Sequence, residues 1–217
     1  MSAAAVAVLT LPAGPERPRA PRAAITENLA GFQRLETPAA GLTPASVAVC
    51  VVLRRDESCL LMTRRSPTLR SHAGQWALPG GRRDVGESAA DAALRELREE
   101  TGVAAAASDV LGVLDDYATR SGYLITPVVV WGGPVSPAMS GPASEVAEIH
   151  VIPLADLDVA PRLRRIPQSP SPVIQLPFLG GYLHAPTAAV VYQFCQVALH
   201  GRATRVAHFE QPVFAWR

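Results

Sequence analysis

From Gly80 to Val103 the chain reads GGRRDVGESAADAALRELREETGV, and no other segment bounds the fold so tightly. Ser88, with Asp91 three residues on, has the form of a capping box. Ala90, Ala93, Leu94 and Leu97 recur at i, i+3, i+4 and i+7 as one apolar stripe, and Gly102 supplies a stop. This pattern predicts an amphipathic helix from about Ser88 to Thr101, packed on a core, with Asp91 and Arg95 spaced to pair on its outer side. Glu96, Glu99 and Glu100 form a cluster of their own, off the stripe. Like charges at i, i+4 cost roughly 0.2–0.5 kcal/mol, so the cluster is either a solvated face or a cation site. Hard divalent ions suit the second reading, because they take oxygen ligands from a few carboxylates and from substrate phosphates.

The order of residues is more specific than a helix of acids. Gly81, five residues, Glu87, seven residues, then Arg95-Glu96-Leu97-Arg98-Glu99-Glu100-Thr101-Gly102-Val103 is similar at every fixed position to the Nudix box, GX5EX7REUXEEXGU with U aliphatic. The resemblance implies an α/β (α+β) domain of the Nudix fold, a mixed β-sheet sandwiched between α-helices. It also implies hydrolysis of a nucleoside diphosphate linked to another moiety, with Mg²⁺ or Mn²⁺ as cofactor. Glu96 and Glu100, one turn apart, are then the foremost metal ligands, with Glu99 a third and, by analogy, the backbone carbonyl near Gly81 a fourth. Glu87 and Arg95 are expected to be structural, an ion pair joining loop to helix. The water-activating base is sought at Glu99 or at Glu145 and Glu148, two acids beyond a Gly/Pro-rich loop.

The segment before the box bears on the substrate. LMTRRSPTLRSHAGQWALPGG (61–81) resembles the upstream motif of the coenzyme A pyrophosphatase branch, LLTXR(S/A)X3RX3GX3FPGG, with Met62 and Leu78 as apolar replacements. The resemblance implies coenzyme A or acyl-CoA as substrate, giving 3′,5′-ADP and 4′-phosphopantetheine. Arg64, Arg65 and Arg70 are the candidate cations for the extra 3′-phosphate. Thr187-Ala188 fits the helix start of that branch, whereas His184-Ala185-Pro186 departs from it. The alternatives are an ADP-ribose, ADP-sugar or NADH pyrophosphatase and a non-enzymatic nucleotide-sensing module.

Composition excludes other chemistries. The 20 basic residues are all arginine, so Walker-type phosphate binding, Schiff bases and Ser–Lys mechanisms, which need an amine, are out. A net charge of +1 gives no general case for nucleic acid. Cys50, Cys59 and Cys195 show no zinc spacing and read as buried free thiols. No apolar run reaches about 18 residues, so no membrane span is expected. The expected partner is a small-molecule nucleotide, with a homodimer left open. A cytoplasmic location is expected, and Arg17, Arg19 and Arg22 keep an organellar matrix as the alternative.

A chain of 217 residues suits one domain. Residues 1–24 are expected to be a flexible arm and 25–217 a single domain with a C-terminal extension. A short helix is expected over 25–35, a hairpin from strands 46–54 and 59–65, and further strands near 109–119 and 123–131. A loop over 132–142, a strand and short helix over 145–157, irregular structure over 160–181 and a helix from Thr187 ended by Gly201 complete the reading.

Overall fold

The computed structural model describes residues 7–10, 20–68 and 73–216. The described residues form twelve strands and four α-helices: β1 (Ala7–Thr10), α1 (Arg22–Ala30), β2 (Thr43–Arg54), β3 (Glu57–Arg65), β4 (Trp76–Ala77), β5 (Gly80–Arg82), α2 (Ala89–Thr101), β6 (Val110–Val113), β7 (Tyr117–Ala118), β8 (Tyr123–Pro134), β9 (Val146–Pro153), α3 (Leu154–Leu157), β10 (Arg162–Ile166), β11 (Ser169–Phe178), β12 (Gly181–His184) and α4 (Thr187–Phe194). The main sheet runs β1-β9-β3-β2-β8-β6 and is mixed. β2 is parallel to β8 but antiparallel to β3.

Strand β2 shows why the sheet needs helices on both faces. Its side chains alternate sides with period two. Ala48, Cys50 and Val52 bury against Ala93 and Leu97 of α2. Val49 and Val51 join the opposite cluster, with Ile25 and Leu29 of α1 and Val190, Val191 and Phe194 of α4. The mixed sheet between helices is the expected fold. The three thiols are free and buried, and burial pushes Cys50 up to about 12. Among the described residues no helix is long and apolar enough to cross a membrane.

Several elements differ from expectation. Residues 160–181 are not irregular: β10, β11 and β12 form a three-stranded antiparallel sheet. The prolines there mislead because they cost little where no ladder N–H is needed. Pro167 lies in the turn between β10 and β11, and the carbonyl of Pro172 accepts the Glu210 N–H at 2.9 Å. Within the expected arm, Ala7–Thr10 forms β1, parallel to β9, and α1 already starts at Arg22. α1 ends before Gly31, so Leu35 and Thr37 lie beyond it, where their N–H groups reach Asp115 and Asp116. β8 runs into the expected loop as far as Pro134, through a bulge at Gly133 (φ +69°). After α4 the chain continues through a π-helical turn, Cys195–Leu199, before Gly201 (φ +63°).

Candidate active site

Two glycines bring a strand against a helix. In β5, Gly80 pairs with Val47 and Gly81 with Ser46. A Cβ at Gly80 would strike the Ser46 carbonyl and Val47, and one at Gly81 would strike the Glu96 carboxylate. Glycine is therefore required here by close approach, not by φ.

The N-terminus of α2 is capped by Ser88, whose Oγ accepts the Asp91 N–H at 3.1 Å and donates to Asp91 Oδ2 at 2.6 Å. With Asp91 so engaged, Arg95 does not pair with it as its spacing suggested. Arg95 donates instead to Glu87, Nε to Oε1 at 2.9 Å and Nη2 to Oε2 at 3.0 Å. It also reaches Glu96 at 2.7 Å, Glu99 at 3.3 Å and the Arg82 carbonyl at 3.1 Å. Glu87 closes the joint by accepting the Asp84 N–H at 2.9 Å. The Arg95 hydrogen bonds, helped by that N–H, hold the Glu87 carboxyl down at about 2.

Glu96 and Glu100 face a cleft of about 880 Å³, with Arg65 and Glu145 also on its walls. Glu100 is only 5% exposed. Burial, then the neighbouring Glu96, pushes its carboxyl up to about 8, and burial raises Glu96 as well. Two neighbouring, largely desolvated carboxylates are a donor set that calls for a cation. The fit is to a metal that keeps waters and shares substrate oxygens, as Mg²⁺ does. A closed protein cage is not built: among the described residues no three His, Cys, Asp or Glu side chains converge on one point.

The third expected ligand, Glu99, does not join this pair. At about 100° per residue it points away from Glu100, is 58% exposed and leans on Arg95. Of the two further acids, Glu145 lines the cleft. Glu148 turns to His150 Nε2 at 2.8 Å and to Arg64 at 3.7 Å. That ion pair, and a bond from its Nε to the Gly74 carbonyl at 3.3 Å, occupy Arg64 outside the cleft wall. Arg65 does line the cleft, and its Nε is buried with no hydrogen-bond partner among the described residues. Arg70 lies outside the described residues, as does His72.

The cleft extends to both sides of the carboxylates. On one side stand Gln75 and Trp76, with Pro186 and Thr187 at the start of α4. The Trp76 ring is wedged edge-on against His150 and Phe178, at 4.4 and 5.0 Å between centroids. On the other side are Arg82, Thr119, Ser121, Tyr123, Gln211 and Ala215. Arg82 donates to the Tyr123 hydroxyl at 2.8 Å. Apart from Pro186 and Thr187, sequence reasoning singled out none of these as site residues. Trp76 and Arg82 flank the double glycine and could have been found as its neighbours, whereas Tyr123 and Gln211 arrive only through long-range pairing.

Comparison with known proteins gives the family of the domain. Residues 43–175 match the model of the NUDIX domain. The chain is 44% identical over 119 residues to an uncharacterized Nudix hydrolase NudL of Cronobacter sakazakii, covering 53% of this chain and 60% of that protein. A NudL of Yersinia enterocolitica is 40% identical over 135 residues, covering 60% of this chain and 68% of that protein. The chain thus spans little more than half to two thirds of the length of these curated relatives. Among solved structures, a Nudix hydrolase from M. smegmatis, RenU, aligns with a TM-score of 0.49 at 22% identity, over 73% of this chain and 87% of that one.

Proposed function

The chain belongs to the Nudix family, and from that premise we propose that it hydrolyses the diphosphate linkage of a nucleoside diphosphate derivative with Mg²⁺ or Mn²⁺. The carrying observation is that buried Glu100 and half-buried Glu96, the latter packed against Gly81, line one open cleft. Glu96 and Glu100 would hold the ion, which supplies charge neutralisation and a more acidic water. Arg65, with its unpartnered Nε, binds a diphosphate oxygen; a charged hydrogen bond of this kind is bidentate-capable and strong. Glu145, on the cleft wall, takes the proton from the attacking water. Glu87 and Arg95 keep the loop and helix in register, and Glu99 steadies Arg95.

For the substrate we propose coenzyme A or an acyl-CoA, cleaved to 3′,5′-ADP and 4′-phosphopantetheine. The upstream segment 61–81 supports it, as does a cleft with room on both sides of the carboxylates. Arg70 would read the 3′-phosphate. Wild-type protein should then cleave CoA about 10- to 100-fold better in kcat/KM than dephospho-CoA, since a charged hydrogen bond contributes about 1.5–3 kcal/mol. Arg70→Ala should shrink that ratio and not merely slow both. Equal rates on the two would remove the coenzyme A reading. A product screen with Mg²⁺ over CoA, acetyl-CoA, ADP-ribose and NADH tests the choice, and faster cleavage of ADP-ribose would move the assignment there.

A further inference from the structure

The Tyr123 side of the cleft is closed by the end of the chain, beyond the family match at 43–175. Phe209 to Trp216 forms a strap fixed at several points. The Tyr117 hydroxyl donates to the Phe209 carbonyl at 2.9 Å. Glu210 is tied to β11 by its N–H on the Pro172 carbonyl at 2.9 Å. Its buried carboxylate takes Arg120 Nη2 at 2.6 Å and Nε at 3.1 Å. The Trp216 indole N–H donates to the Gln211 carbonyl at 3.0 Å, and Arg120 lies 5.1 Å from the centroid of its ring. Arg120 thus latches the strap from both ends.

What the strap presents to the cleft is neutral. Gln211 and Ala215 line it while being only 2% and 4% exposed, so they form its inner wall. The backbone N–H of Arg120 donates to Gln211 Oε1 at 2.7 Å, which fixes the amide plane and leaves Nε2 as the donor. The same part of the wall carries Thr119, Ser121, Tyr123 and the apolar Ile125; among the described residues the one cation there, Arg82, is held on the Tyr123 hydroxyl at 2.8 Å. The Glu210 charge is turned away into Arg120.

We infer that this strap selects the substrate: Gln211 and Ala215 enclose an uncharged arm leaving the diphosphate toward Tyr123, and Gln211 Nε2 donates to a carbonyl or hydroxyl oxygen on it. The inference rests on the proposed diphosphate hydrolysis. Arg120 is a positioning residue: its side chain holds Glu210 and the Trp216 ring, and so keeps the strap that carries Gln211 against the cleft.

Three probes separate the roles: CoA with an amide-bearing arm, ADP-ribose with a hydroxyl-bearing arm, and the methyl ester of ADP with no arm. Gln211→Ala should raise KM roughly 10-fold for whichever armed substrate the wild type prefers, with kcat kept and the methyl ester within about 2-fold. Ala215→Leu should give the same pattern by narrowing the wall. Arg120→Ala should reproduce it, with Arg120→Lys recovering part. Equal losses on armed and armless substrates, or no loss on either, overturn the inference. Should one variant fail to melt cooperatively, the other decides. A wild type that cleaves none of the probes ends the hydrolase reading, and calorimetric titration of CoA and ADP-ribose with Ca²⁺ then judges the strap alone. Weaker binding by Gln211→Ala sustains it; equal or absent binding overturns it.

Discussion

At the scale of single residues, two positions near the carboxylates do quite different things. Gly81 has no side chain because Glu96 occupies the space. Gly81→Ala should displace that carboxylate and cost roughly 10²-fold in kcat, while circular dichroism stays unchanged; an active variant would mean that the contact is loose. Glu87 is held at about 2 from a usual 4.5 by Arg95. Its folded value is depressed, so its contribution to stability is present above pH 4.5 and is lost as pH falls toward 2. The melting temperatures of wild type and Glu87→Gln should therefore differ most at pH 6 and converge on acidification; a gap constant with pH would exclude the ion pair as its source. That Glu96 and Glu100 share one face was legible in the sequence because helix geometry fixes it locally. The contact of Gly81 with Glu96 and the lean of Glu99 on Arg95 were not, since the first depends on strand β5 meeting the helix and the same spacing suits a ligand or an exposed partner of Arg95.

At the scale of elements, α2 was readable to within a residue from its stripe, its Ser88 cap and Gly102 at φ +72°. Ser88→Ala should lower stability by about 1 kcal/mol in urea denaturation and leave kcat intact; a larger loss of activity would give the cap a role in the site. Arg95→Ala should lower both melting temperature and rate, because the guanidinium bridges Glu87, Glu96 and the Arg82 carbonyl. Unchanged melting with lost activity would point to direct contact with substrate instead. The strands over 160–181 were hidden by prolines, whose effect depends on whether a partner needs the missing N–H. The sequence carries the proline but not the partner.

At the scale of the molecule, a buried acidic pair holds the segments before and after the family match onto it. Asp115, 4% exposed, accepts Arg205 Nη1 at 2.7 and 2.9 Å, Gln193 Nε2 at 2.8 Å and the Leu35 N–H at 2.8 Å. Asp116 takes Arg34 at 2.9 Å and the Thr126 hydroxyl, and Thr126 in turn accepts from Arg83. In the sequence these were two unremarked acids in a strand-like run, because their partners are some 80 to 90 residues away. Asp115→Ala should cost about 2–4 kcal/mol by urea denaturation and expose residues 202–216 to protease; neither change would follow if the termini docked without it. The central claim, that the Glu96–Glu100 pair works on a diphosphate, has one direct measurement. Wild type and Glu100→Gln would each be incubated with CoA and Mg²⁺, with EDTA controls, and the products separated by chromatography. The account predicts 3′,5′-ADP and 4′-phosphopantetheine from wild type with Mg²⁺ only. It predicts at least roughly 10²-fold less from Glu100→Gln, melting at or above the wild-type temperature because a crowded buried acid has been removed. Equal turnover by the two proteins, or turnover indifferent to EDTA, would contradict it.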